Sequence, residues 1–490
     1  MVLVVTHQIS VRLRYVLREI FEANHNIEIV LVTLSDFLHW EKPLESQNSL
    51  KSIFYYEPNW EHGISTVDTL KNKIQQLALD ADVVHLKGTS LLMENGIDVR
   101  WENPPFTELT TSLSFRLGEQ KTDKLPVLFP IESSELGYDP FSMVFWILSR
   151  YEENLWYIKK NRENVCSTNP LAHRFSAKES HAYQNQYLDK PVVDWVRLHL
   201  ISLAGYSSTK EIQLRKQTYK IIPTADIDMF FKFGKRTAIR NIGSWLISLK
   251  NPRLVYERLI AFLSGKDPLD PQYTTLPLLE SSDFSKCFLL LSEKHDPFHK
   301  QNSLDKKSVK QSIATIFKRL NPKQVGIHPS IVLHQFSENS SIPAAWTLEA
   351  KRFNSFSNQK TIHASRFHYL NFFLPRHYEW LESMGISEDW SMGYHDLIGF
   401  RASTSFAFAW YNLTQEKQTH LMVVPFQSMD VTCKNYMDLT NELSITYINS
   451  IKQSIEFIGG MFVFIFHNES VSESYPWTGW RKTISAWNKS

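Results

Sequence analysis

Two aspartates stand one residue apart in "TADIDMFFKFGKR", Thr224 to Arg236, just after the apolar run Tyr219–Ile222. An ordinary turn at a strand end would place Gly, Asn or Pro there. Asp226 and Asp228 instead offer two carboxylates at one point, followed by the aromatics Phe230, Phe231 and Phe233. Polar residues follow other strand-like runs in the same way. His328 comes after "QVGI", with His334 six residues further on in "HPSIVLH"; Asp430 comes after "LMVVPFQSM"; His467 comes after "FVFIF". Four predicted strands thus end in Asp or His. Carboxylate and imidazole are the ligand types for Zn²⁺ or a similar divalent ion. Such an ion polarises a carbonyl and makes water a better nucleophile. A remaining carboxylate can act as base, and a histidine on the opposite side as acid. Singly, each residue has an ordinary explanation as a helix cap, a turn residue or a satisfied buried histidine. Their convergence at strand ends carries the chemical reading.

Elements able to position these groups are legible from Gln217 onward. Strand-like cores at Tyr219–Ile222, Phe288–Leu291, Gln324–Ile327, Met422–Val424 and Met461–Phe466 alternate with helical stretches at Ser308–Leu320, Leu374–Met384 and Leu439–Ile458. Repeated βα units predict a (β/α) barrel, complete or partial, with catalytic groups at the C-terminal strand ends. Long loops such as Glu338–Ser357 are expected to fill the gaps. Nearer the N-terminus, Val2–Thr6, Ile27–Thr33 and Asp82–Leu86 read as strands. Val11–Phe21 and Ser65–Leu79 read as helices, the latter with Ser65 as N-cap. This predicts a smaller α/β domain. It contains neither GxGxxG nor a Walker loop, so no nucleotide is assigned to it. Between the two, an amphipathic helix Phe141–Leu148 is expected to start after Asp139, with Pro140 at an early helical position. A second helix is expected within Asp189–Gly205. The division is therefore an α/β domain over residues 1–120, a helical connecting region over 121–215 and a barrel over 216–490.

Bulk properties narrow the function classes. A chain of 490 residues exceeds one ordinary core. Hydrophobic residues at 43% and charged residues at 21% fit a folded, soluble chain. Aromatics at 13%, with 14 Trp, suit large cores and equally sugar-binding surfaces. A net charge of +2 gives no basic field for nucleic acid. The three cysteines, Cys166, Cys287 and Cys433, form no CxxC pair and no disulfide framework, which points to a reducing compartment. "MVLVVTHQIS" lacks the basic start and long apolar run of a signal peptide. No apolar stretch reaches 18 residues, so no transmembrane segment is expected. The expected location is cytoplasmic.

The motifs "DPFSMVFWILSRYEE", "TADID", "GIHPS", "RFHYLNFFLP", "DWSMGYHDLIGFRAST", "PFQSMD" and "FHNES" occur in this order. Together they resemble the polysaccharide deacetylase superfamily, carbohydrate esterase family 4 and its relatives. Within it they resemble a bacterial branch with an uncharacterised α/β domain in front. The likeness runs from about residue 125 onward. It implies a distorted (β/α) barrel of the polysaccharide deacetylase type and metal-dependent removal of N-acetyl groups from sugars, with zinc as the first choice of ion. On this resemblance Asp226 corresponds to the catalytic base and Asp228 to a metal ligand, allowing one inserted residue, with the two roles exchangeable. His328 corresponds to the first metal histidine. The family's second histidine falls at Val332, so His334 is taken as its substitute. Arg366 corresponds to the arginine that orients the catalytic aspartate, and His467 to the general acid. Asp389 and Trp390 resemble the acidic–aromatic motif of the pocket wall. Arg401, in "GFRA", looks like a fixed feature of the branch and is grouped with them as substrate-binding.

Three functions remain open at this level. The first is a metal-dependent hydrolase removing N-acetyl groups from a glycan or glycan precursor, with lipid-linked or nucleotide-linked precursors as the expected carbohydrate substrates. The second, favoured by Val332, is an inactive barrel of this type that binds glycan or a partner protein. The third is a different metal-dependent hydrolase, such as a deacylase of a small amide.

Overall fold

The computed structural model describes residues 1–23, 25–41, 50, 52–58, 67–77, 79–117, 120–162, 169–206, 218–233, 252–292, 295–296, 298–300, 302–331, 341–359 and 361–489. Its architecture is mixed α/β, built on two main sheets. The first contains β1 (Val2–Thr6), β2 (Ile29–Thr33), β3 (Ser52–Glu57) and β4 (Asp82–Lys87) in the order β2-β1-β3-β4, every pair parallel. The strand β3, "SIFYYE", is buried throughout and is absent from the sequence reading. Ser10 caps the first helix, Val11–Leu17, by accepting from the Leu13 amide, and a wider π turn Arg18–Glu22 extends it. The helix read from Ser65 is Val67–Gln76, and Ser65 lies outside the described residues. A long antiparallel hairpin follows, β5 (Phe106–Leu117) and β6 (Gln120–Leu128), which sequence periodicity does not reveal.

Helix Pro140–Leu148 begins where expected. The Asp139 carboxylate accepts from the Phe141 and Ser142 amides, with Pro140 in the first turn. It is not amphipathic, because every one of its residues is buried. It packs on helices Val11–Leu17, Tyr151–Arg162 and Val192–Leu203 and on β6. A helix that is apolar all round belongs in a core. Asp139 also accepts from the Thr89 amide at 2.8 Å, which ties this helix to the loop after β4. One continuous hydrophobic core runs from Val2 to Trp487 through these helices.

The second sheet contains β7 (Lys220–Ile227), β8 (Lys286–Leu289), β11 (Val325–Ile327), β12 (Ala364–Ser365), β13 (Glu388–Met392), β14 (Phe408–Asn412), β15 (Lys417–Pro425), β16 (Ser428–Met429) and β17 (Met461–His467), while β9 (His295–Asp296) and β10 (His299–Lys300) form a separate small hairpin. Its order is β14-β15-β13-β12-β11-β8-β7-β17-β16, parallel except for the β14–β15 pair. The sheet is curled into a half-barrel. Ile222, Phe288, Ala364, Trp390, Val424, Phe426, Val463 and Ile465 fill its concave side as a separate apolar cluster. Gly326 permits the curl, since a Cβ there would stand 2.6 Å from the Ala364 carbonyl oxygen and 2.7 Å from the Phe288 ring.

Two elements differ from expectation. Strand β7 does not stop at Ile222 but continues through Pro223 to Ile227. A proline in a central strand removes a ladder donor and normally argues for a strand end. Here the Thr224 hydroxyl donates to the Phe464 carbonyl at 2.7 Å, supplying a hydrogen bond to the neighbouring strand beside the proline. The expected loop Glu338–Ser357 contains a helix, Ala344–Ser357, and residues 338–340 lie outside the described residues. Its buried face consists of Trp346, Glu349 and Phe353, too sparse and too mixed for apolar periodicity to register. Asn358, at φ 54°, ends it in the left-handed region.

Candidate metal centre

The C-terminal ends of six neighbouring strands, β12, β11, β8, β7, β17 and β16, form one rim. Register sets what meets there. Ile327 is opposite Ser365, so His328 and Arg366 emerge side by side. His467 is opposite Asp226. Strands β12 and β7 are three places apart, about 14 Å in a flat sheet. Curling brings His368, just beyond β12, to the end of β7.

Asp228 lies at the centre of the cluster. Its carboxylate is 3.4 Å from His328 Nε2, 3.6 Å from His368 Nε2 and 3.9 Å from His467 Nε2. One ligand atom from each of Asp228, His328 and His368 falls within 4.8 Å of the others, so these three side chains could hold a metal ion. The donor set fits a divalent cation. Asp228 Oδ1 is a buried oxygen with no hydrogen-bond donor among the described residues. His328 Nδ1 lies 2.6 Å from the Arg366 carbonyl, which fixes that nitrogen as the donor and leaves Nε2 its lone pair. Burial, reinforced by His328 and His299 and opposed by Asp228, holds the His368 imidazole below its ordinary pKa. Burial alone would raise the Asp228 carboxyl, but His368, His328 and His467 outweigh it and hold the group well below the usual carboxylate range.

Asp226 is almost fully buried and faces the same space. Arg366 Nη1 donates to its Oδ1 at 2.9 Å, and its Oδ2 is 3.9 Å from His328 Nε2. Arg366 is itself held by a bond from Nε to the Trp390 carbonyl, 2.9 Å, and by the Phe288 ring beneath its guanidinium. Across the cluster, His467 Nδ1 lies 2.8 Å from the buried Asp430 carboxylate, and the His467 amide donates to Asp430 Oδ2 at 2.7 Å. Burial lowers the His467 pKa, but Asp430 first, then Asp228 and Asp226, raise it to about 10.

The structure therefore brings together Asp226, Asp228, His328, Arg366 and His467. His334 and Val332 lie outside the described residues, and the third imidazole beside Asp228 is that of His368. His368 stands in the "RFHYL" motif, two residues after Arg366. The strand-end rule would have found it, but β12 is only two residues long and leaves no apolar run to read. Asp430 was visible at a strand end without a role, and its role here is to anchor His467.

Asp389, Trp390 and Arg401 are not brought into this cluster. Both Asp389 carboxylate oxygens accept hydrogen bonds, from Tyr378 Oη at 2.7 Å, the Ser391 hydroxyl at 2.8 Å and the Ser391 amide at 3.0 Å. Trp390 packs inside the curled sheet and donates from Nε1 to Glu388. Arg401 forms a two-pronged pair with Glu153, 2.9 and 2.6 Å, and Glu153 also accepts from Arg150. The motifs "SRYEE" and "GFRA" thus meet in one buried ion network. Of the aromatics after Asp228, Phe230 and Phe231 are buried in the main core, and Phe233 lies under the Arg258 guanidinium. Cys287 and Cys433 are buried free thiols.

Residues 2–203, less than half of the chain, match the model of a family of unknown function, DUF7033. No curated protein matches the sequence. Similar solved structures include a Mycobacterium smegmatis protein assigned as a polysaccharide deacetylase, 13% identical, over 55% of this chain and 83% of that one, at a TM-score of 0.29. Agd3, described as a carbohydrate deacetylase, is 8% identical over 99% of this chain and 83% of that one, also at 0.29. Among the described residues no helix is long and apolar enough to cross a membrane.

Proposed function

We propose that this chain is a metal-dependent hydrolase that removes N-acetyl groups from a sugar of a glycan or glycan precursor. The observation that carries the reading is the convergence of Asp228, His328 and His368 between two further polar pairs, Arg366–Asp226 and Asp430–His467. Two imidazoles and one carboxylate are a common catalytic zinc set, which leaves room for water and substrate. A divalent ion held by these three side chains would supply Lewis acidity to the acetamide carbonyl and acidify water. Asp226, fixed by Arg366, takes the proton from the attacking water. His467, held by Asp430 and protonated at neutral pH, gives a proton from Nε2 to the departing amine. In this reading Asp389, Trp390 and Arg401 set the shape of the rim from behind, Trp390 by holding Arg366 through its carbonyl.

The test is elemental analysis joined to an acetate-release assay on N-acetylated oligosaccharides. About one zinc or similar ion per chain is expected, as for a single three-ligand site. His368→Ala should lose the ion and the activity together. A protein that binds no divalent ion above background would end the hydrolase reading.

A further inference from the structure

Beside the metal cluster, the backbone takes an unusual course. Tyr369 and Leu370, directly after His368, both lie in the left-handed region at φ 57° and 55°. Two consecutive non-glycine residues there are strongly disfavoured, and such strain gathers at functional sites. Its consequence is that the Tyr369 ring stays on the outside, 38% exposed, with its centroid 4.3 Å from that of His368. A second exposed ring, Tyr436 at 45%, follows the Asp430 anchor in sequence and is braced edge-on by His395 at 5.4 Å.

Arg174 connects the two. It comes from the N-terminal half of the chain, inside the segment that matches the family model. Its Nη1 donates to the Tyr369 carbonyl at 3.0 Å and its Nη2 to the Tyr436 hydroxyl at 3.2 Å. A longer bond runs from Nε to the Leu171 carbonyl, 3.4 Å. All three acceptors are neutral, and among the described residues no carboxylate forms an ion pair with Arg174. A partly exposed guanidinium, with N–H groups unused among the described residues, thus bridges the backbone of one exposed tyrosine and the hydroxyl of another, and the first of these adjoins a metal-cluster histidine in sequence.

We infer that Arg174, Tyr369 and Tyr436 form a subsite for a sugar adjoining the N-acetylated one, and that Arg174 recognises an anionic group on it. The inference rests on the deacetylase reading for the position of the acetamide. Flat rings suit the apolar face of a pyranose, and guanidinium suits carboxylate or phosphate by paired N–H donors. The substrate class is then an acidic oligosaccharide or a phosphorylated glycan precursor, not a neutral monosaccharide.

Calorimetric titration of the full chain tests this with three probes: the neutral N-acetylglucosamine tetramer, a tetrasaccharide alternating N-acetylglucosamine with glucuronic acid, and the neutral tetramer carrying a reducing-end phosphate. At least one acidic probe should bind about tenfold more tightly than the neutral one, as one charge-assisted contact allows. The uronate arm winning identifies a sugar acid, and the phosphate arm a phosphorylated precursor. Arg174→Gln should bring the preferred probe to within about twofold of the neutral one, with metal content and melting temperature unchanged. Equal binding of all three probes by the wild type, or a preference that survives Arg174→Gln, overturns the subsite. Acetate release from all three probes is followed in parallel. Release without acidic preference overturns the subsite alone, and acidic preference without release overturns the deacetylase reading alone.

Discussion

Arg366 and Asp226 offer the sharpest energetic test of the centre. Both are almost completely buried, with an Nη1–Oδ1 separation of 2.9 Å. At an effective dielectric of 20 their attraction is about 6 kcal/mol. Desolvation of the two ions offsets much of this, so the pair adds little net stability compared with an apolar replacement. Removing one partner is different, because the other is left charged, buried and alone, at a cost of about 3–5 kcal/mol. Arg366→Met should therefore destabilise by that amount, and Asp226→Asn by a similar one. In the double variant neither charge remains, so the loss should fall short of the sum by at least about 2 kcal/mol.

The assay is thermal unfolding of the four proteins. At about 2.1 cal/mol/K per residue, the 490 residues give an unfolding entropy near 1 kcal/mol/K. Each single variant should melt about 3–5 °C lower. Zinc content should persist in Arg366→Met, since Arg366 supplies no ligand atom, while acetate release should collapse. Strictly additive melting shifts would show that the two residues are not an isolated buried pair. Full activity in Arg366→Met would remove Asp226 from the role of oriented base.

Other measurements reach different parts of the molecule. Asp430→Asn takes away the anchor of His467 Nδ1 and should lower turnover about a hundredfold or more while leaving metal content intact. Thr224→Val removes the hydroxyl bond to the buried Phe464 carbonyl and should cost about 0.5–1.5 kcal/mol, read as a fall of about one degree in melting temperature. Glu19 is buried near Arg197, and burial, opposed by that arginine, raises its carboxyl to about 7. A folded-state pKa above the unfolded value means stability is full below about pH 4.5 and is lost as pH climbs to about 7. The loss is about 3 kcal/mol. Glu19→Gln should flatten that part of the stability curve; an unchanged slope would place its origin elsewhere.

What was legible in the sequence divides along physical lines. Long parallel strands with polar ends announce themselves, so β17 with His467, and Asp226 and Asp228 at the end of β7, could be read without coordinates. The apolar helix Pro140–Leu148 was equally plain because its cap, its proline and its hydrophobicity agree. Short strands hide their cargo. The two residues of β12 carry no periodic signal, and so Arg366 was reached only through resemblance, while His368 received no role. The apolar run Tyr219–Ile222 shows only the first half of β7, because the polar residues that follow it are held by their pairing with β17 rather than by any apolar pattern. The motif residues Asp389 and Arg401 are assigned to substrate binding through the resemblance alone, each standing beside an aromatic. In the structure those aromatics are core and the polar atoms are spent on Tyr378, Ser391 and Glu153.

This last point bears on why the two halves of the chain stay together. Arg401, beyond β13, reaches Glu153 in the helix after Pro140–Leu148, and the Arg401 guanidinium lies over the Phe372 ring at 4.5 Å. Arg12, in the first helix, pairs with Glu416 between β14 and β15 and also donates to the Leu91 carbonyl. Tyr15 donates to the Ala409 carbonyl in β14. The Arg401–Glu153, Arg12–Glu416 and Tyr15–Ala409 contacts join the segment before residue 203 to the part of the chain that carries the curled sheet, and each is buried or nearly so. Arg174 adds a contact of a different kind, on the solvent side and against the loop that carries His368. Buried links of the first kind hold the front segment in one position, because breaking any of them leaves an unpaired charge or donor in a dry interior. That fixed position is what would let Arg174 act on a ligand at the rim. A front segment tethered only by surface contacts could not hold a guanidinium between two tyrosines to hydrogen-bond distance.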